Sequence, residues 1–589
     1  MLLQRLSDYF DQIPGTPTLY TMKPIPYVID LDSEGHLLNS EPIRTVGDGT
    51  KRGTDRGKLL LVPDVKRTVG IRPLLFADGA DYTFGRGSPQ EVVEKAGKDY
   101  GKYLVRTAQA HAAYLGIVDR CATSGDPVVG AVCRFLHDDP AAQLSFPEGY
   151  DWDGFVTFRV DGAFVVDQPA VRSFWAAEHA AKTEGKDAAH VMQCIVCGQQ
   201  RPVLTRLQGN IKGLPNGQMA GTALISANSD VFESYGLENS LIAPICATCA
   251  ERFTNALNHL LADPEHSVRV GDAAFVFWTR EPVAWSAHSF FAPEAAAIRQ
   301  MLTSPYRKRF DDPEDVTPFY AAALTANNAR AVVRDWLDTT VGEMRERIRR
   351  WFAAQEIVGR DGDEGEPLGI YALAAATVRD ARKELPKETP RLLAHAAFTG
   401  QAVPEGLLAQ AVRRNRAEGR VTRPRAALIK LALTRRGTIR EGEMMTLVFD
   451  HPDSAYHCGR LLAVLEQIQL AAIPGIKATV RDRFFGSAST TPFAVFSRLV
   501  RGAQPHLSKL QRDRPRAYGA LQKRIEGVMD SINGLAGFPH HLTLDQQGLF
   551  ALGYYQQRAH DRAEATAARA RNEQTLLTDE DLDGTDETE

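Results

Sequence analysis

The apolar residues of this chain fall into two rhythms. In the first half, short runs rich in β-branched and aromatic residues read as strands set between helical stretches: Lys58 to Pro63 (KLLLVP), Val156 to Asp167 (VTFRVDGAFVVD) and Asp272 to Trp278 (DAAFVFW). Toward the other end the period becomes that of a helix, as where Leu461, Leu465, Ile468 and Ala472 recur at intervals of 4, 3 and 4 residues. A further stripe, Val341, Met344, Ile348, Trp351 and Phe352, marks a helix that starts with Thr340 and Glu343 in the positions of a capping box. Such a row of large apolar side chains is expected in a core.

The run Gly359 to Pro367 (GRDGDEGEP) belongs to neither rhythm, because glycine, like-charged carboxylates and proline all disfavour regular structure, and it is the expected linker. From about Arg558 the chain turns to alanine, arginine and acid, expected to fray from helix into a disordered acidic tail. The expected fold class is α+β. A mixed α/β part spans 1–358 and carries a knuckle-bearing segment at about 190–262. A linker at 359–367, an all-α bundle over 368–565 and a disordered tail over 566–589 follow.

Length and composition narrow the class. A chain of 589 residues supports two to four domains, and 44% hydrophobic with 24% charged residues is globular composition. No apolar run approaches the roughly 18 residues that span a bilayer, and the opening MLLQRLSDYFDQIPG interrupts its apolar residues with Arg5, Asp8 and Asp11, unlike a signal peptide. A cytoplasmic protein with no membrane partner is expected. Seven cysteines are too few and too odd in number for a disulfide framework, which fits a reducing compartment. The formal net charge is −4, yet the stretch Thr578 to Glu589 alone holds seven carboxylates and no base, which leaves +3 on the rest.

Four cysteines form two C-x2-C pairs, Cys194 with Cys197 and Cys246 with Cys249. Each pair lets two thiolates reach one ion from a tight turn, and two pairs complete the tetrahedral shell of a structural zinc. Gly198 suits the knuckle turn. Phe253, Leu257, Leu260 and Leu261 place the second pair at the amino terminus of a helix, where the dipole favours thiolate. One shared, structural zinc is the expectation, acting as a clamp. Four buried, redox-inert thiols are the alternative, and a catalytic zinc fits least, since such sites keep an open position.

Positive charge is gathered in patches. Arg44 to Lys58 (RTVGDGTKRGTDRGK) interleaves glycines with Lys51, Arg52, Arg56 and Lys58, giving a cationic loop able to approach phosphates; an ordinary surface loop is the alternative. Lys66, Arg67 and Arg72 follow. Arg413 to Arg440 carries Arg413, Arg414, Arg416, Arg420, Arg423, Arg425, Lys430, Arg435, Arg436 and Arg440 against Glu418 alone, a density for which phosphate is the natural counterpart. Against this, His137 with Asp138 (FLHDDP) and His540 with His541 lack the companions of a hydrolytic metal site, and no nucleophile elbow or nucleotide-binding loop occurs. The chain reads as a binder.

Longer stretches carry a resemblance. Ala223 to Pro244 (ALISANSDVFESYGLENSLIAP), Ala323 to Phe352 (ALTANNARAVVRDWLDTTVGEMRERIRRWF) and Ala455 to Leu510 (beginning AYHCGRLLAVLEQIQLAAIPG) resemble the large subunit of the type I-C, or Dvulg-subtype, CRISPR Cascade. Lys66 to Gly85 and Pro17 to Asp32 are similar to the amino-terminal segments of that family. The resemblance covers nearly the whole chain apart from the acidic tail. It implies a non-catalytic subunit that sits with the crRNA-processing subunit, the backbone filament subunits and the small subunit on a crRNA. Such a subunit recognises a protospacer-adjacent motif in double-stranded target DNA, assists duplex opening, stabilises the R-loop and supports recruitment of a helicase-nuclease. Guide pairing then supplies most of the specificity.

On that reading the Arg44 to Lys58 loop with Lys66, Arg67 and Arg72 meets the motif-proximal duplex. The Arg413 to Arg440 segment meets the displaced single strand or the heteroduplex, with Arg481 and Arg483 as lesser candidates. The resemblance also implies that the helical part is similar to the small subunit, whose start inside the same gene would fall at Met444 or Met445. The segment matching CATCAERF generally lacks cysteines in the family, which strengthens the clamp reading. A zinc-containing DNA nuclease is the alternative from another class and would need an open metal site.

Overall fold

The computed structural model describes all residues except 14–19, 48–55, 66–69, 187–189, 208–210, 220, 228, 304–312, 536 and 584–589. It forms two compact units, one of Met1–Ile211 with Ala220–His259, the other of Lys212–Met219 with Leu260–Glu589.

The first unit is built on short strands. β1 (Tyr20–Ile25) and β4 (Lys58–Pro63) pair antiparallel, Tyr20 opposite Pro63 and Ile25 opposite Lys58. β2 (Tyr27–Leu31), β3 (Ile43–Arg44), β5 (Ala77–Gly79) and β6 (Phe155–Val160) form a sheet of order β3-β2-β6-β5, with β7 (Ala163–Phe164) also on β6. The β2–β6 pair is parallel, so it needs a long crossover, which here carries helices α1 (Tyr100–Ala122) and α2 (Pro127–His137). Asp30 and Arg159, opposite one another on β2 and β6, close a two-pronged ion pair at 2.7 and 2.6 Å. Beneath the sheet Phe76, Tyr114, Phe135, Phe158 and Trp175 are buried in one core. The unit ends with a small hairpin of β8 (Val191–Gln193) and β9 (Gln200–Pro202), followed by helix α3, Ala247–Ala262, whose last residues run into the second unit.

The second unit opens with an antiparallel meander of β10 (Ser267–Val270), β11 (Ala273–Thr279), β12 (Pro318–Asn327) and β13 (Arg330–Thr340). Helix α4 (Val341–Gln355) follows, and the expected stripe of Val341, Met344, Ile348, Trp351 and Phe352 is buried. Thr340 Oγ1 accepts from the Glu343 N–H at 3.3 Å, while the Glu343 carboxylate takes the Thr339 hydroxyl, so only half of the capping box forms. Next come α5 (Glu405–Glu418), α6 (Arg423–Arg435), α7 (Ser454–Ala472), α8 (Val480–Ala488), α9 (Pro492–Asp513), α10 (Pro515–Gly534) and α11 (Leu544–Asp583).

Two expectations are corrected. The linker at 359–367 does not divide the molecule: one core runs from Val270 to Tyr555, with Ile357 and Ile370 buried on either side of the run. Its backbone is tied down, Val358 N–H to Met445 O at 2.8 Å, Gly359 N–H to Asp363 O at 2.8 Å and Arg562 to Arg360 O at 3.1 Å. Glycine and carboxylate mark a tight surface turn as readily as a tether, and composition does not separate the two. The tail expected to be disordered from 566 is helical as far as Asp583, continuing α11.

α7 and α11 meet backbone to backbone. A Cβ on Gly459 would stand 2.0 Å from Phe550 O, and a Cβ on Gly553 would stand 2.1 Å from Tyr456 O. This reciprocal pair lets buried polar groups reach across: Tyr456 Oη donates to Gln556 at 2.6 Å, Arg460 to Gln557 at 3.1 Å, and Tyr554 Oη to Glu466 at 2.5 Å.

Candidate functional site

The four paired cysteines converge. Their sulfurs all lie within 4.8 Å of one another, with Cys194, Cys246 and Cys249 buried and Cys197 at the surface. The hairpin of β8 and β9 positions the first pair: Cys194 N–H donates to Gln199 O at 2.9 Å and Gly198 N–H to Cys194 O at 2.8 Å, with Gly198 at φ 73°. That left-handed turn is open to glycine at little cost. The second pair is brought alongside by main-chain bonds, Ile195 N–H to Pro244 O at 3.0 Å and Leu204 N–H to Ile245 O at 2.9 Å, and α3 begins directly after Cys246. The Cys246 N–H points at Cys194 Sγ at 3.5 Å. A hydrogen bond from the Cys249 thiol, foremost, pulls Cys246 down to about 5 against its burial, and the same anion pushes Cys249 up.

An arrangement that stabilises one thiolate among three further sulfurs suits a cation. Zinc bonded to sulfur at about 2.3 Å needs edges of about 3.8 Å, which this spread accommodates. The residues therefore fit a metal ion. Four sulfurs fill a tetrahedral shell, so the cluster offers no open position of the kind a hydrolytic centre uses.

The basic candidates of the first unit divide by position. Lys51, Arg52, Lys66 and Arg67 lie outside the described residues. Arg44, Arg56, Lys58 and Arg72 are exposed. The ends of the Arg44 to Lys58 loop are held together, Lys58 N–H donating to Thr45 Oγ1 at 2.9 Å and Thr45 N–H to Pro26 O at 2.9 Å. Beside Gly70 and Ile71, α1 lines an open groove of about 640 Å³ with Lys102, Arg106 and Gln109. Lys102 and Arg106 were not apparent from the sequence, because the intervening residues hide their nearness to Gly70 and Ile71.

In the second unit the arginine-dense segment is largely consumed by the fold. Arg425 is buried, donating to Ala376 O and Arg420 O and pairing with Glu418, which Arg414 also engages. Lys430 is fully buried against Ala353 O. Arg423 donates to Glu366 O, Arg435 to Gly400 O, and Arg436 pairs with Glu405 and Asp545. Arg413, Arg416, Arg420 and Arg440 remain exposed. Arg481 is held by Asp482 and Glu466, while Arg483 is exposed.

A clearer cationic feature lies on α9. Val495, Phe496, Leu499, Ala503, Leu507 and Leu510 bury one face, and Arg498, Arg501, Lys509 and Arg512 stand exposed on the opposite one. At 100° per residue these four fall within an arc of about 80° along about 21 Å, the length of about six phosphates of one B-form strand. Among the described residues only Arg512 of the four has a carboxylate partner, the adjoining Asp513 at 2.9 Å. Arg498 lies over the Phe484 ring at 4.9 Å. The signal was present as two i, i+3 basic pairs, but it becomes a stripe only once the helix phase is known.

Fold and site define a two-unit protein, one unit bearing a four-cysteine knuckle and the other an α-helical bundle with a cationic face. The chain belongs to the CRISPR-associated protein family (Cas_Csd1), whose model matches residues 3–561, in agreement with the resemblance drawn from sequence. No curated protein matches the chain. Among the described residues no helix is long and apolar enough to cross a membrane.

Proposed function

We propose that this CRISPR-associated protein is the non-catalytic large subunit of a type I-C crRNA-guided complex and grips target DNA by its backbone. The observation that carries this reading is the α9 stripe, four exposed bases on one helix face with a single carboxylate neighbour. Among the described residues such a surface is left largely unneutralised within the chain, and it suits the displaced strand or the heteroduplex. The pinned Arg44 to Lys58 loop, with Arg72, Lys102 and Arg106, is the motif-proximal counterpart, reading a few base pairs while the guide reads the rest. Its partners are the crRNA-processing, backbone and small subunits and a recruited helicase-nuclease. The cysteine cluster holds zinc as a structural clamp.

Alanine at Arg498, Arg501, Lys509 and Arg512 together is expected to weaken DNA binding by the assembled complex on every sequence. The log–log salt slope should become shallower by about 3, four contacts at about 0.7 to 0.9 each. Unchanged affinity and slope would remove the support for this reading. Alanine at Arg44, Arg56 and Arg72 should instead reduce discrimination between targets with and without the flanking motif. Hydrolysis of labelled DNA by the purified chain, abolished by one carboxylate or histidine substitution, would favour the nuclease alternative.

A further inference from the structure

Apart from the four-cysteine cluster, three further donors of different chemistry meet in the first unit. Asp119 near the end of α1 faces Cys133 and His137 on α2, and the donor atoms of all three lie within 4.8 Å of one another. Cys133 and His137 are four residues apart on one helix, so both side chains emerge on the same face. The turn joining α1 to α2 is short and capped, Asp126 accepting from the N–H groups of Val128 and Val129 at 2.9 and 3.1 Å. That cap fixes the two helices as neighbours and sets Asp119 opposite the pair.

His137 Nε2 stands 2.7 Å and Cys133 Sγ 3.5 Å from the same oxygen, Asp119 Oδ1. A tetrahedral ion bonded to oxygen, nitrogen and sulfur at about 2.0, 2.1 and 2.3 Å needs an O···S edge of about 3.5 Å and an O···N edge of about 3.3 Å. The first edge is already present, and the second needs an opening of about 0.6 Å between two exposed side chains. As it stands, the Cys133 thiol donates to Asp119 Oδ1 and the imidazole shares the same oxygen; a divalent ion would take the place of the protons held among the same three donors.

We propose that Asp119, Cys133 and His137 form a second metal site, taking a borderline divalent transition ion such as Zn²⁺ or Co²⁺ with the fourth position left to solvent. The mixed N, O, S set selects against Mg²⁺ and Ca²⁺, which want oxygen alone. Asp119 and His137 are half-exposed, so an ion enters without unfolding the unit. Unlike the four-thiolate cluster, this centre exchanges its ion and retains a water.

The test uses the reduced full-length chain loaded with one equivalent of zinc, titrated with Co²⁺ and followed by absorbance. The expected result is one further ion per chain, giving tetrahedral d–d bands and a charge-transfer band from a single thiolate. Cys133→Ser abolishes that charge-transfer band. His137→Gln and Asp119→Asn, both at exposed positions that leave the core untouched, each weaken binding by about tenfold or more. Mg²⁺ in excess does not compete. A spectrum without a thiolate band overturns the proposal, and so does a band that survives Cys133→Ser or is lost only with Cys246→Ser.

Discussion

At the scale of single residues, the decisive distinction is between cations that face water and cations the fold has absorbed. Lys430 shows the second case: burial, only partly offset by Glu356, holds its ammonium down at about 8. Between that value and the ordinary lysine value of about 10.4, the unfolded chain binds a proton that the folded chain does not, so stability rises with pH across this window. Lys430→Met is therefore expected to stabilise the protein by about 3 kcal/mol at pH 7, with the gain shrinking above pH 8, as measured by denaturant titration at several pH values. An unchanged midpoint at pH 7 would show that the charge is better solvated than its position indicates. Arg425→Ala should behave oppositely and cost about 1–3 kcal/mol, since it leaves Glu418 with Arg414 alone and takes the donor from two carbonyls. From sequence alone the ten bases of Arg413 to Arg440 looked alike, because charge density carries no information about which helix face is inward.

At the scale of elements, the sequence was read best where periodicity was strong. β4 matches its expected limits of Lys58 to Pro63, and α4 buries the stripe assigned to it. The long β12–β13 hairpin was not read as strands, since its alanine-rich first half has weak β propensity and is held by pairing with β11 and β13. The knuckle was legible because a metal shell imposes spacing on the sequence itself. Cys246→Ser, or treatment with a strong chelator, is expected to release the ion proposed for the four-thiolate cluster, read by elemental analysis, and to open 190–262 to protease. Retained resistance would make the cluster dispensable for folding. The helix seam offers a sharper case: Gly459→Ala or Gly553→Ala should cost about 1–3 kcal/mol or more, because the new methyl meets a main-chain oxygen that cannot step aside.

At the scale of the whole molecule, the run at 359–367 should resist limited proteolysis despite its linker-like composition, with its backbone bonded to the segments around it. A product starting at Met444 or Met445 would lack α5 and α6, against which Gly548 on α11 packs through Leu408, Ile429 and Leu433. That fragment is expected to self-associate or to need a partner, visible by sedimentation, whereas a monodisperse monomer would argue against an uncovered apolar face. The same packing bears on the acidic end of the chain. α11 is clamped to α7 at two glycines, and register is the property such a seam controls: sliding by one turn would break every polar bridge around Glu466 and Gln556. The described part of α11, which runs on to Asp583, thus leaves the bundle with a defined bearing. A partner that docked on α11 would meet it along one line of approach, as it would not on a loose string.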